Sequence, residues 1–449
     1  MAKASQNARN SGLETLLEQA RWSRTQFANA VNRIAAQIGI SLKYDQSAVS
    51  HWVAGTQPRE QVRPVIVEAL ERRLGRPVTY AEAGLRPPKG GRGSDSADTV
   101  ESLLDLGRAD MDPSRRGVLA VGLYSAALAV PLFAGEARAS ERERSTRPTT
   151  HVGAGEVATV RTMTDRIADI LDELGGGHAR PMAAAFLVNT VAPYLRASAS
   201  EQVRKDMLSA ASDLTYLTGW MAMFEREHGL GQRYYIKALK IAREAADHLT
   251  YCRTLRGMSL QASNLGYGQK ALELADSAAE AAPQAGPRLV AFLRGQQAHA
   301  ASMVGAERQA FARLREAESA LSKADSRRES IGGYDQAAYQ FHVAHVLYET
   351  GDLPGSIAAL RTALRAQPKQ ERQGRVHFNA VMAQRQFELG HIEEACSTWD
   401  AFLDGYTSLS TARGDEHFVT MCRRIAPYRK VRAVRELGAR AQQVAALKG

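Results

Sequence analysis

The amino-acid sequence predicts an all-α protein with two parts, a small N-terminal helical bundle and a long array of helical hairpins. The chain has 449 residues, which is enough for two or three domains with substantial cores. Hydrophobic residues make up 44% of the chain and charged residues 24%, as in folded globular proteins. After residue 155 the chain is dominated by Ala, Leu, Arg, Glu and Gln, which favour helices over strands.

The first 85 residues are predicted to form a compact bundle of four helices. Ser23 is placed to cap the second helix, a third helix begins near Asp45, and a fourth covers about residues 61–74. Each helix has an apolar face with helical spacing, and together these faces enclose a small core. The faces are formed by Leu13, Leu16, Leu17 and Ala20; by Phe27, Ala28 and Val31; by Ala48, Val49 and Trp52; and by Val62, Val65, Ile66, Ala69 and Leu70.

Residues 45–59, with the sequence DQSAVSHWVAGTQPR, resemble the recognition-helix region of lambda-repressor-like (Xre-type) helix-turn-helix proteins. One feature departs from that family. In that family a short turn joins the second and third helices, whereas here residues 32–44 separate them. A longer second helix would explain the difference. The residues that carry the resemblance are Ser47, Ser50, Trp52, Gly55 and Pro58.

This resemblance implies a DNA-binding surface on the third helix. Val49 and Trp52 would anchor the helix, while short polar side chains near its N-terminus reach base edges in the major groove. Gln46 suits a bidentate contact to adenine, and Lys43 and Arg59 suit backbone phosphates. The residues expected to contact DNA are Gln26, Lys43, Tyr44, Gln46, Ser47, Ser50, His51 and Arg59.

Basic residues are concentrated in the N-terminal part of the chain. The formal net charge is +10, and residues 1–93 contain 14 Lys or Arg against seven Asp or Glu, which is a net +7. A basic region of this kind is typical of proteins that bind a polyanion such as DNA. The alternative interpretation is that these charges only keep the surface soluble.

The C-terminal part repeats a pattern of small and large residues, A-x-x-x-[large]-x-x-A. Five segments fit the pattern at intervals of 39 to 46 residues, and in four of them a glycine lies five residues earlier. A glycine at that place indicates the end of one helix and the turn to the next, so each segment is predicted to be the second helix of a hairpin. The segments begin at Gly231, Ala271, Ala310, Ser356 and Ala395, and the turn glycines are Gly266, Gly305, Gly351 and Gly390.

The clearest of these units, residues 348–368, resembles a tetratricopeptide repeat. The resemblance implies an α-solenoid of tetratricopeptide-like hairpins over residues 156–449. Residues 156–196 would form a leading helix pair and residues 415–446 a terminal cap. Stacked repeats create a concave groove, which in such proteins binds peptides or protein segments.

Segments with a different composition separate the two parts. Residues 86–113 and 136–155 are predicted linkers, and residues 114–135 an apolar linker helix packed against the repeats or a second subunit. Residues 114–139 also resemble a twin-arginine export signal, and the uncharged stretch 117–135 barely reaches the length of a membrane span. Because more than 110 residues precede this segment, we favour the linker helix over a membrane anchor.

No motif for catalysis or cofactor binding is recognisable in the sequence, so neither enzyme activity nor a cofactor is expected. His342 and His345 share a helix face, but they lack a neighbouring third ligand, and no metal site is predicted. The widely spaced Cys252, Cys396 and Cys422 are predicted to be buried, reduced thiols. Because the first residues do not resemble an export signal, the expected location is the cytoplasm.

Taken together, the two parts resemble regulators of filamentous, GC-rich (actinobacterial-type) bacteria that join a helix-turn-helix to tetratricopeptide repeats. The resemblance implies a sequence-specific DNA-binding transcriptional regulator in development or secondary metabolism. Its repeats would mediate dimerisation and sense a peptide, protein or small ligand. The expected partners are double-stranded DNA and a second copy of the chain. The alternative is a tetratricopeptide scaffold that recruits other proteins, attached in one variant of this hypothesis to a membrane through residues 117–135.

Overall fold

The computed structural model confirms the all-α fold class. Its secondary structure is helical over the described residues, apart from one isolated backbone bridge between His151 and Ser198. The described residues are 9–37, 42–74, 78–86, 99–112, 124–125, 130, 133, 151–281, 285–324 and 333–448.

Four helices form the N-terminal bundle. Their apolar faces enclose one core, in which Phe27, Val49 and Ile66 are fully buried. A single 3-10 turn, Glu60–Val62, leads into the last helix. The helices are α1 (Ser11–Gln19), α2 (Arg24–Gln37), α3 (Gln46–Val53) and α4 (Arg63–Leu74).

Side-chain caps define where α2 and α3 begin. The Ser23 hydroxyl accepts from the Gln26 N–H at 3.2 Å, and the Gln26 side chain accepts from the Ser23 N–H at 2.9 Å. This reciprocal pair is a capping box. At α3, the Asp45 carboxylate accepts from the Ala48 N–H at 3.0 Å. Because α2 continues to Gln37, part of the long connection noted in the sequence is helical.

Among the described residues after the bundle, the repeated pattern falls on five helical hairpins, each made of two consecutive helices that pack on each other. These pairs are α9 with α10, α11 with α12, α13 with α14, α15 with α16, and α17 with α18. The helices after the bundle are α5 (Thr99–Met111), α6 (Ala154–Leu174), α7 (Gly176–Phe186), α8 (Ala192–Arg196), α9 (Glu201–Phe224), α10 (His228–Ala245), α11 (His248–Asn264), α12 (Gly268–Glu280), α13 (Pro287–Met303), α14 (Glu307–Leu321), α15 (Gln336–Glu349), α16 (Leu353–Ala366), α17 (Arg372–Glu388), α18 (Ile392–Tyr406), α19 (Ala412–Ile425) and α20 (Arg432–Lys448).

The repeated sequence pattern lies where it was predicted, on the second helix of each hairpin. The small positions are buried against the first helix, and the large ones, such as Tyr235, Leu360 and Trp399, are fully buried. The four turn glycines have φ between 76° and 90°, a conformation that favours glycine. In the first hairpin Arg226 occupies this position, with φ of 64°. The prediction of helical hairpins is confirmed.

The array curves until its two ends meet. Helix α6 packs against α17, on the far side of the array. The Ser410 N–H donates to the Leu174 carbonyl at 2.8 Å, and the Gly177 N–H donates to the Ser410 carbonyl at 2.9 Å. Arg226 also forms an ion pair of 3.0 Å with Glu416. These contacts join the beginning of the repeat region to its end, so the first helices of the hairpins surround an internal space.

The predicted linkers are shorter than the sequence suggested. Residues 86–113 include α5, which packs on α7 and α10 because its apolar residues, among them Leu103 and Leu104, have helical spacing and join the repeat core. The second predicted linker, 136–155, overlaps the repeat region at its end. There the Val152 N–H donates to the Ser198 carbonyl at 2.9 Å.

Most of the predicted apolar linker helix, residues 114–135, lies outside the described residues. Of those described, Tyr124 stacks on Tyr267 at 5.5 Å between ring centroids, and Phe133 lies 3.8 Å from the ring of His248. These contacts place both side chains against the repeats. None of the helices built from described residues combines the length and hydrophobicity that crossing a bilayer requires.

The three cysteines are free thiols. Cys252 and Cys396 are buried, as predicted, while Cys422 is partly exposed. Burial raises the pKa of Cys252 to about 12 and that of Cys396 to about 11. Both thiols are therefore protonated at neutral pH and act as small apolar packing groups.

Candidate functional site

The first candidate site is the outward face of α3. Val49 and Trp52 are buried in the bundle and hold the helix in place. Short polar side chains point away from the core. Lys43 precedes the helix and Arg59 follows it, and both are exposed. This arrangement suits insertion into a DNA major groove. The exposed residues are Lys43, Gln46, Ser47, His51 and Arg59, and Ser50 is partly exposed.

Two residues at the start of α2 belong to the same face. The Arg24 guanidinium donates to the Ser50 hydroxyl at 3.1 Å, and the Thr25 hydroxyl donates to the Gln46 side chain at 3.4 Å. Sequence reasoning missed Arg24 and Thr25. The sequence contained a signal for Arg24. The helix dipole disfavours a cation in the first turn of a helix, so an arginine at this place indicates a role other than helix stability.

Two of the predicted DNA-contacting residues also have contacts within the bundle. The Gln26 side chain is engaged in the capping box of α2. The Tyr44 ring packs edge-on against Trp52 at 4.9 Å, and its backbone N–H and C=O bond to the Asn32 side chain at 2.9 and 2.8 Å. We therefore centre the candidate site on α3 and Arg24 rather than on Gln26 and Tyr44.

The cap of α3 supports this site, and its removal has a predictable cost. Asp45→Ala is expected to destabilise α3 by about 1 kcal/mol, because the Ala48 N–H loses its acceptor. Asp45→Asn keeps an acceptor oxygen and should retain most of that stability. Hydrogen–deuterium exchange of α3 peptides in the full chain measures the difference as roughly fivefold faster exchange in the alanine variant. Equal exchange in both variants would show that the cap does not stabilise α3.

The second candidate site is the internal space of the repeat region, a cavity of about 780 Å³. Its wall consists mainly of the first helices of the hairpins, and α6 and α19 complete it. A volume of this size is typical of pockets that hold small molecules. The aromatic side chains that line it are Tyr216, Trp220, Phe224, Phe292, Phe341 and Phe378.

Four histidines also line this cavity, and at neutral pH they are uncharged; His299 and His342 are buried, and His345 and His377 are partly exposed. Burial lowers the pKa of His299 to about 4, and it lowers the pKa of His342, His345 and His377 well below the ordinary value. The Tyr334 hydroxyl is 2.9 Å from His342 Nδ1. In the part of the chain that the structure describes, no group of three or more His, Cys, Asp or Glu side chains is arranged to hold a metal ion.

Two arginines of the cavity wall were not indicated by the sequence. Arg256 lies over the ring of Phe292 at 3.8 Å, and Arg413 lies over the ring of Phe224 at 4.6 Å. Each arginine and its ring come from different helices. No local pattern marks them, because an arginine in a helix is usually a solvated surface residue.

Comparison with known proteins concerns the bundle alone. The family model of the SP15 N-terminal domain matches residues 13–86. This range contains α2, α3, α4 and all of α1 except its first two residues, and it ends before α5. No curated protein matches the chain significantly. The chain is thus similar to the SP15 N-terminal domain over its first part, and the repeat region lies outside that match.

Proposed function

We propose that this chain is a sequence-specific DNA-binding transcriptional regulator whose bundle is a helix-turn-helix of the Xre type. The observation that carries the proposal is the polar face of α3, which is exposed while Val49 and Trp52 fix the helix from behind. Gln46 and Ser47 are the side chains for base contacts, and Lys43 and Arg59 those for phosphates. Arg24 adds a further cation at the edge of this face.

The hairpins form the effector part in this proposal. As a tetratricopeptide-like solenoid, they would mediate dimerisation, so that two bundles read a two-fold symmetric DNA site in the cytoplasm. A ligand in the repeat region regulates DNA binding when its affinity differs between the free and the DNA-bound state. The combination is that of the actinobacterial-type regulators of development and secondary metabolism which the sequence resembles.

Chromatin immunoprecipitation of the tagged full chain tests the proposal. Wild-type protein is expected to give sharp peaks that share a palindromic site, and Gln46→Ala/Ser50→Ala is expected to lose them. The expected loss is at least about 1 to 3 kcal/mol of binding free energy, the contribution of one bidentate base contact such as that of Gln46, and the loss of the Ser50 hydroxyl adds to it.

The control variant is Gln442→Ala/Gln443→Ala, which changes two exposed residues of α20 and should leave all peaks in place. Peaks that persist in the α3 variant would show that α3 does not read DNA. In vitro, binding to an enriched site should also weaken steeply with added salt, since phosphate contacts release counterions.

The alternative function is a scaffold whose hairpins recruit partner proteins. The array itself is the observation that favours it. A scaffold predicts no enriched DNA sites, no salt-dependent DNA binding, and no effect of changes on α3. The two functions are therefore separated by the same experiment.

A further inference from the structure

The cavity of the repeat region holds a buried arginine that pairs with no carboxylate among the residues that the structure describes. Arg256, on α11, is only 5% exposed. Its Nε and Nη1 have no acceptor among the residues that the structure describes, and the Tyr216 hydroxyl is a nearby group that favours its charged form. A buried cation that lacks a counter-ion is costly to the fold. Such a group is explained when an anion binds beside it.

A series of aromatic rings lies beside Arg256 on the cavity wall and leads to a second arginine. Arg256 lies over Phe292 and also 5.3 Å from the ring of Trp220. The Trp220 ring lies 4.9 Å from that of Phe224, which in turn carries Arg413. We call these five residues the cation–aromatic row. The row offers positive charge next to flat apolar surface.

The surroundings of Arg256 favour an anion of low charge. The groups near Arg256 include Tyr216, Tyr235, Tyr334, His299 and His342, and none of them is charged at neutral pH. Asp169 and Glu173 line the cavity, but in the described structure neither forms an ion pair with Arg256. A phosphate needs several charged or backbone donors, whereas a carboxylate is satisfied by one guanidinium and neighbouring hydroxyls.

We infer that the cavity binds a small aromatic monocarboxylate, with its carboxylate on Arg256 and its ring against the aromatic side chains of the cation–aromatic row. The cavity volume of about 780 Å³ accommodates a ligand of this kind. The inference rests on the proposed function only for its regulatory meaning, since the ligand would be the effector of the DNA-binding bundle. Binding itself is a property of the repeat region and is measured without DNA.

The test is isothermal titration calorimetry of the purified full chain with matched acids and amides. The probes are benzoate, phenylacetate and 1-naphthaleneacetate, each beside its uncharged amide. At least one acid is expected to bind and its amide to bind at least about tenfold more weakly. Arg256→Met should weaken binding of that acid by about 10- to 100-fold, the range for a lost hydrogen bond to a charged group. Arg308→Met, an exposed change outside the cavity, should bind the acid as wild type does.

A second measurement separates a ligand site from a structural arginine. Without ligand, Arg256→Met should unfold at the same temperature as wild type or at a higher one, because it removes an uncompensated buried charge. The acid should then raise the unfolding temperature of wild type but not that of the variant. A lower unfolding temperature of the variant would assign Arg256 to the fold. That result would overturn the inference, as would equal binding of acids and amides, or no binding of any acid at millimolar concentration.

These outcomes also separate the inference from the proposed function. Acid binding that depends on Arg256 in a protein without enriched DNA sites would sustain the ligand site and contradict the regulator. Enriched DNA sites in a protein that binds none of the acids would support the regulator and contradict the ligand site.

Discussion

Lowering the pH from 7 to 5 is expected to reduce the free energy of unfolding of the repeat region by at least about 6 kcal/mol. His228, His299 and His417 contribute about 2 kcal/mol each, and His342, His345 and His377 add to the loss. Burial, with nearby arginines, lowers the pKa of His228 and His417 to about 3 and that of His299 to about 4, from an ordinary 6.5. Below pH 6.5 the unfolded chain therefore binds protons that the folded chain does not. The stability is complete above pH 6.5 and is lost as the pH falls toward the folded pKa values.

Urea denaturation at several pH values measures this loss, and a single substitution assigns part of it. His299→Gln removes one of these histidines, so the stability of the variant should fall by about 2 kcal/mol less than that of wild type between pH 7 and pH 5. His391→Gln is the control, because the His391 side chain is 55% exposed. The same pH dependence in wild type and His299→Gln would show that His299 is not a buried neutral group.

Asp110→Ala is expected to destabilise the repeat region by about 3 to 5 kcal/mol, because it leaves a buried arginine without its counter-ion. Asp110 lies on α5 and pairs with Arg180 on α7, and the two side chains are 1% and 8% exposed. The Tyr234 hydroxyl also donates to Asp110 at 3.1 Å. Thermal or urea unfolding of the full chain measures the loss. It would also show that α5 belongs to the repeat region rather than to a free linker.

Two further variants make this prediction specific. Asp105→Ala lies on the same helix, but its side chain is 72% exposed, and it should cost less than about 0.5 kcal/mol. Adding Arg180→Met to Asp110→Ala should restore much of the stability, because both members of the buried pair are then gone. If the double variant is no more stable than Asp110→Ala alone, the cost does not come from the unpaired charge.

The position of the candidate DNA-binding site was predictable because its signals are local. The Asp45 cap, the buried Trp52 and the polar residues between them lie within one helix, so their spacing alone predicts which side faces outward. The roles of Gln26 and Tyr44 were less predictable. Whether a polar side chain faces a ligand or its own fold depends on neighbours such as Ser23 and Asn32.

The cavity, in contrast, was not predictable from local signals. The sequence pointed to His342 and His345, which share one helix, but their neighbours His299 and His377 come from other hairpins. No local feature of the sequence indicates the position of Arg256 in the cavity. Its environment exists only after several helices have stacked, and the cavity closes where contacts such as those of Ser410 with residues 174 and 177 join the two ends of the array.

The sequence by itself determined the all-α fold class, the four bundle helices, and the hairpins with their turn glycines. These features follow from periodicity, caps and backbone conformation, which act over a few residues. Only the tertiary structure decided that α5 packs on the repeats, that the array closes, and that a buried arginine faces its interior. Those outcomes depend on contacts between residues far apart in the chain, such as Asp110 with Arg180, and no local pattern encodes them.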